Sequence, residues 1–265
     1  MPEKTNINTD TDSYFVKLKN RGFVYIEGED RVAFLQNLVT NDLELLDKQP
    51  ALYSCLLTPQ GKFLHDFFIV KGEGFFILDC EGGARADDLY KTLNRYRLRS
   101  KVTLSVEEQS SVYAVFGTEA KDGYADPRHN AMGYRTFNKP GDLEERVFDV
   151  WDQHRITLCI PDGSRDMVPE SSTLLEFRID GLNGVSFTKG CYVGQEVTAR
   201  MKHRGLLKKQ SHVITGDALP ACGEDILLDG KIAGEMRSSC GDTGIALIKN
   251  DMTGMFGDSP YKLLS

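Results

Sequence analysis

Residues 51–80 read ALYSCLLTPQGKFLHDFFIVKGEGFFILDC, and their punctuation decides the fold. Three apolar runs, Ala51 to Leu57, Phe63 to Val70 and Phe75 to Cys80, are separated by Thr58-Pro59-Gln60-Gly61 and Lys71-Gly72-Glu73-Gly74. Proline presets one turn position and glycine supplies the left-handed one, so each break reverses the chain. Short apolar runs between such turns form an antiparallel meander. Strand side chains alternate faces, which puts Asp66 with Leu64, Phe68 and Val70, and His65 with Phe63, Phe67 and Ile69. Both faces are otherwise apolar, so this strand is predicted to be central and covered on both sides. A buried carboxylate must be paired, hydrogen-bonded or neutralised. Two readings of Asp66 stay open: a carboxylate bonded to nearby backbone or an arginine, or one turned toward a ligand.

Upstream, Phe23 to Ile26 reads as a strand. Gly28 and Asp30 then open a helix through Val32, Leu35 and Val39 that should end near Thr40-Asn41-Asp42. Downstream, residues 84–98 form an amphipathic helix on Leu89, Leu93 and Tyr96. Val102 to Val106 and Val112 to Phe116 are strands. A helix is predicted from Leu143 to His154, with Leu143, Val147, Val150 and Trp151 as its apolar stripe, and 160–173 as a long loop. Beyond Gly205, strand-like runs at 211–215, 225–228, 231–236 and 243–248 alternate with glycines, the pattern of a small antiparallel barrel. The division is therefore 1–204 and 205–265.

The 265 residues are 40% hydrophobic and 27% charged, with a formal net charge of −7. That composition supports a sizeable core and argues against a general nucleic-acid or membrane binder. The longest strongly apolar stretch, Phe67 to Val70, is far too short to span a bilayer. The opening MPEKTNINTD lacks the pattern of a secretory signal or an arginine-rich transit peptide, and unpaired cysteines suit a reducing cytosol, so a cytoplasmic protein is expected. Cysteines at 55, 80, 159, 191, 222 and 240 form no C-x-x-C pair. Free thiols, no disulfide framework and no metal site built from this chain alone are expected. No P-loop, G-x-G-x-x-G fingerprint or G-x-S-x-G elbow is present.

Lys189-Gly190-Cys191-Tyr192-Val193-Gly194-Gln195-Glu196 sets one thiol between glycines, with a cation two residues before it. Lys189 can favour the thiolate of Cys191, the reactive form. The alternative is a cysteine that serves as a small buried hydrophobe. Residues 189–209 hold six Lys/Arg (189, 200, 202, 204, 208, 209) against Glu196 alone, and 85–101 hold six more against Asp87 and Asp88. Such segments suit an anionic ligand or partner, or else are solvated faces paired with acids elsewhere.

Lys189 to Glu196, continuing through Val197-Thr198-Ala199-Arg200 to Arg204-Gly205, closely resembles the signature of the YgfZ family. Further matching stretches are Phe34-Leu35-Gln36 with Thr40-Asn41-Asp42, Leu57 to Asp66, Arg95 to Val102, Asp126-Pro127-Arg128 with Gly133-Tyr134-Arg135, and Arg155-Ile156 leading to Ile160-Pro161. The resemblance spans about residues 14–250. It implies an α+β, GcvT-like three-part fold around a central channel, as in glycine-cleavage aminomethyltransferase. The parts are a mixed α/β part, a ferredoxin-like part and a C-terminal small antiparallel β-barrel.

By the same resemblance, tetrahydrofolate or a derivative lies in the channel with Asp66 facing its reactive nitrogens. Asp66, Tyr53, Arg155, Gln195, Glu196 and Arg200 would bind it, and Cys191, Lys189 and Asp66 would carry the chemistry. No resident metal is implied. One departure is Thr157, in Arg155-Ile156-Thr157-Leu158, where aminomethyltransferases carry a pterin-gripping glutamate on an apolar strand. A threonine cannot make that charge-assisted bidentate contact. The implied function is a folate-binding accessory factor for iron–sulfur proteins, chiefly [4Fe–4S] enzymes including tRNA-modifying ones. Its partners would be folate and iron–sulfur assembly or client proteins, and it would be a monomer that touches neither nucleic acid nor membrane. The alternative is a tetrahydrofolate-dependent aminomethyltransferase or another C1-transferring enzyme.

Overall fold

A computed structural model describes residues 13–107, 111–205, 207–257 and 259–264. The opening MPEKTNINTD lies outside them. The first half runs β1 (Tyr14–Lys17), β2 (Arg21–Glu27), α1 (Arg31–Gln36), β3 (Ala51–Leu57), β4 (Phe63–Lys71), β5 (Phe75–Glu81), α2 (Ala84–Arg97) and β6 (Thr103–Glu107). It continues with β7 (Tyr113–Phe116), β8 (Tyr124–Ala125), β9 (Tyr134–Thr136), β10 (Glu144–Arg146), α3 (Phe148–Thr157) and α4 (Gln195–Arg204). The C-terminal strands are β11 (Lys209–Thr215), β12 (Asp225–Leu228), β13 (Lys231–Cys240), β14 (Thr243–Lys249) and β15 (Lys262–Leu263).

These build three five-stranded sheets, ordered β3-β4-β5-β2-β6, β10-β1-β7-β9-β8 and β12-β13-β14-β11-β15. The meander forms as expected, with Tyr53 opposite Phe68 and Phe68 opposite Asp79. β4 is covered on both faces. Phe67 and Ile69 belong to one core with α1 and α2, while Phe68 belongs to another. Phe63 departs from the simple alternation. The register slips so that Leu56 faces His65 and Leu57 faces Phe63, and the bulge carries Phe63 onto the Phe68 side. That second core joins all three sheets, from Val16 of β1 through Tyr53 and Phe68 to Trp151 and Leu247.

Two helix boundaries differ from expectation, and both for long-range reasons. α1 stops at Gln36 because the carbonyls of the next stretch turn toward another partner: Gln36 O, Val39 O and Asn41 O all accept from Lys189 Nζ. α3 starts at Phe148, since Glu144–Arg146 pairs in parallel with Tyr14–Val16 of β1. Val147, expected on the apolar stripe, caps that helix in solvent. No helix among the described residues is long and apolar enough to cross a membrane.

Candidate functional site

Asp66 is 8% exposed, and its Oδ2 accepts from the Tyr53 hydroxyl at 2.9 Å. Around it lies a cluster of arginines and acids drawn from three segments. Arg21 Nε and Arg135 Nη2 donate to the two oxygens of Asp79, at 2.7 and 2.6 Å. Arg128 grips Asp126 through Nε at 3.0 Å and Nη2 at 2.7 Å. The guanidiniums of Arg135 and Arg128 lie over the Phe68 ring, 3.9 and 4.8 Å from its centroid. Such stacking suits the flat, weakly hydrated guanidinium. Three arginines face Asp79, Asp126 and Asp66, and Asp162 adds a further negative charge that Asp66 feels.

Burial nevertheless pushes the Asp66 carboxyl up to about 6, against the pull of Arg21, the Tyr53 hydroxyl and Arg128. The neighbouring Tyr53 and Cys55 are raised well above their ordinary ranges, by burial first and then by Asp66 itself. Asp66 can therefore exchange a proton near neutrality while its neighbours do not.

The sign of its contribution to stability follows. The folded value, about 6, lies above the ordinary 3.8, so the native state holds the extra proton between these limits. The penalty of the ionised form is full above about 6 and gone below about 3.8, so this group's contribution improves as pH falls. Asp66→Asn keeps an acceptor for Tyr53 and removes the charge. At about pH 7.5 it should raise the unfolding free energy by on the order of 1–3 kcal/mol, the advantage closing toward about pH 4. Denaturant titrations at the two pH values measure this. A variant less stable than the parent at the higher pH would mean that Arg21 and Arg128 already compensate the charge.

Of the six positions expected to hold a folate, only Tyr53 meets Asp66. Arg155 is fully buried elsewhere, donating to Asp152, Asp166, Ile160 O and Ser238. Its stretch ends a helix, not a strand, and Thr157 there is exposed and donates to His154 O at 2.7 Å. Gln195, Glu196 and Arg200 lie on α4, where Arg200 Nη2 donates to Glu196 Oε1 at 2.6 Å in solvent. The ring face of Phe68 is covered by guanidiniums. Tyr53 and Asp126 contribute to a cavity of about 720 Å³, and Arg21 to another of about 270 Å³. The residues do not assemble into the expected folate grip.

The thiol motif is a separate construction. The chain from Asn183 to Gly194 is fastened to the end of α1. Thr40 Oγ1 donates to Gly184 O at 2.6 Å, Asn41 Nδ2 to Asn183 O at 2.7 Å, and Ser186 N to Thr40 O at 2.9 Å. Lys189 Nζ then donates to Gln36 O, Val39 O and Asn41 O at 2.7, 2.8 and 2.7 Å. Burial lowers its ammonium to about 8, with Asp42 opposing. An ammonium has three protons, and all three are committed to these carbonyls, so none is left for Cys191. The expected cation–thiol partnership is replaced by a structural one.

At the far side of the motif Gly194 has φ +81°, and a Cβ there would sit 2.5 Å from Thr58 O. Only glycine lets α4 begin against the Pro59–Gly61 turn. Tyr192 is buried beside this seam and Cys191 is exposed. Cys55, Cys80 and Cys159 are buried, Cys240 is half-buried, and Cys191 and Cys222 are exposed. Among the described residues no group of three His, Cys, Asp or Glu side chains is placed to hold a metal ion.

Two features escaped the sequence reading. Asp79 carries the same signal as Asp66, one acid in an apolar run. α4 could have been found: Val197 and Met201 are one turn apart, and Glu196 and Arg200 form an i, i+4 pair.

Residues 204–258 match the family described as CAF17, C-terminal beta-barrel domain. The human "Iron-sulfur cluster assembly factor IBA57, mitochondrial" is 32% identical over 278 residues, covering 88% of this chain and 76% of the human protein. The homologue of that name from Mycosarcoma maydis is 32% identical over 242 residues, covering 79% of this chain and 60% of its own. Among solved structures, glycine cleavage system aminomethyltransferase T from Bartonella henselae superposes with a TM-score of 0.71. It is 13% identical and the match covers 91% of this chain and 80% of that one, a likeness of fold alone. The relatives are named as mitochondrial, which overturns the cytoplasmic expectation. Free thiols report a reducing compartment and do not distinguish one from another.

Proposed function

The chain belongs to the IBA57 family of iron–sulfur cluster assembly factors, and on that premise we propose that it is a mitochondrial accessory factor in iron–sulfur cluster assembly. In this reading Cys191 lends one thiolate to a cluster whose other ligands come from a protein partner. The observation that carries it is an exposed thiol held on a pinned loop in a chain whose described residues gather no metal-binding group. Clusters are usually held by four thiolates, so a single presented cysteine suits a cluster shared between proteins. The cluster here is cargo. The C1-transfer alternative finds less support, because the positions it needs do not converge on Asp66.

The test is rescue of [4Fe–4S] enzyme activity in cells lacking the gene, with Cys191→Ser compared with Cys222→Ser. The first should lose most of the rescue and the second should retain it, with both variants folded. Full rescue by Cys191→Ser would make the thiol structural and remove the proposal's basis.

A further inference from the structure

A groove of about 690 Å³ runs between α4 and the C-terminal barrel. Its floor is apolar: Val197 and Met201, one turn apart on α4, and Leu207 on the link into β11. Its rim is cationic. Lys62 comes from the β3–β4 turn, Lys208 and Lys209 from the head of β11, and Lys249 from the end of β14. Four lysines from three separate pieces of chain thus converge in a protein of formal net charge −7. Two acids, Glu176 and Asp251, share the wall.

The rim charge is only partly cancelled from within, four lysines against two acids. Lys62 and Lys249 donate to backbone carbonyls, Ser171 O and Ile232 O, each at 2.8 Å, which orients the ammonium without neutralising it. Lys209 lies 3.7 Å from Glu176 Oε1, and the other oxygen of Glu176 accepts from Thr173 N at 2.9 Å. Lys208 is exposed and has no ion-pair partner among the described residues. Two of the six cations of the basic segment 189–209 go here: Lys208 and Lys209 face the groove beside the helix that carries Arg200, Lys202 and Arg204.

We propose that this groove docks an acidic amphipathic segment of a protein partner. Apolar side chains one turn apart would lie on Val197, Met201 and Leu207, with carboxylates reaching the lysine rim. A small inorganic anion has no use for the apolar floor. Single-stranded nucleic acid needs stacking platforms, and among the described residues no aromatic side chain lines the groove. Helix-in-groove recognition with charged flanks uses both features together. α4, which carries Val197 and Met201, begins four residues after Cys191, so the groove and the thiol are neighbours along the chain. The groove residues and the thiol are nevertheless distinct, and the proposal does not rest on what Cys191 ligates.

The probe is a fluorescein-labelled peptide of glutamate and leucine, about 14 residues long, with leucines at i, i+4 and i+7 along one helical face. A permuted peptide of the same composition, with its leucines spread around the helix, is the control. Fluorescence anisotropy should show saturable binding of the first. Affinity should fall about tenfold in Lys208→Glu and in Met201→Glu, and again on raising salt from about 50 to about 300 mM. Cys191→Ser should bind like the parent, so that a failure of the groove and a failure of the thiol reading are separable. Lys208 is exposed and has no ion-pair partner among the described residues, so its variant stays interpretable if Met201→Glu unfolds. Equal binding of the permuted peptide, or no loss in Lys208→Glu, overturns the proposal. So does saturation by dodecanoate without peptide binding, which would make this an acyl-carboxylate site. Sedimentation as a dimer that Lys208→Glu dissociates would instead make the occupant a second copy and equally overturn it.

Discussion

Replacing Arg155 by methionine should lower the unfolding free energy by about 3–5 kcal/mol, the cost of breaking a buried ion pair by removing one partner. Arg155 is fully buried and spends its guanidinium on three parts of the chain. Within α3, Nε donates to Asp152 Oδ1 at 2.7 Å. Toward the following loop, Nη1 donates to Ile160 O at 3.0 Å and to Asp166 Oδ2 at 2.7 Å. Toward the barrel, Nη2 donates to Ser238 Oγ at 2.7 Å. Asp166 closes the circuit, since its Oδ1 accepts from Ser238 N and Oγ at 3.0 and 2.6 Å. Methionine fills much of the volume but leaves the fully buried Asp166 with no cation bonded to it. Asp166→Asn added to Arg155→Met should recover part of the loss, giving a coupling of about 2–3 kcal/mol in a double-mutant cycle. Urea unfolding of the four proteins measures it. If Arg155→Met unfolds within about 1 kcal/mol of the parent, the arginine does not tie α3 to the barrel, and a ligand-binding role regains its ground.

The meander at 51–80 was legible because each strand there pairs with its neighbour in sequence, so alternation and turn residues suffice. In the barrel this holds for β12, β13 and β14, whereas β11 pairs with β14 and was legible from its apolar run and the glycine after it. What stayed hidden was set by partners far along the chain. β10 exists because Tyr14–Val16 lies beside it, and nothing in Glu144–Arg146 announces a strand. At the candidate site, Asp66 stood out as an acid on an apolar strand. The arginines over Phe68 come from β9, where Arg135 lies, and from the stretch before it, where Arg128 lies. Asp126-Pro127-Arg128 and Gly133-Tyr134-Arg135 were visible as resembling family segments, yet no spacing rule sends their side chains onto one ring. Arg155 shows the converse: an arginine matched to a ligand-binding position is consumed by acids and carbonyls that only the folded chain brings to it.

Lys189 illustrates the same limit and supports the last expectation. Two residues from Cys191 in sequence, it invites a reading as the thiol's activating cation. Its ammonium is instead 2.7–2.8 Å from three carbonyls that lie about 150 residues earlier. These are the acceptors released where α1 ends early, and a helix end left unsatisfied in a buried place is costly. Lys189→Met preserves the stem and removes all three donors. Each orphaned carbonyl costs on the order of 1–3 kcal/mol, and water reaching the least buried one, Gln36 O, offsets part of that. The variant should therefore lose about 3–4 kcal/mol of stability, and protease should cut between Ser186 and Gly194 under conditions that spare the parent. Cys191→Ser, at an exposed side chain, should change stability by no more than about 0.5 kcal/mol. The two residues of one motif would then separate cleanly, the lysine holding the loop and the cysteine being what the loop presents. Loss of less than about 1 kcal/mol in Lys189→Met, with the loop still protease-resistant, would mean that the carbonyls are served by something other than the ammonium.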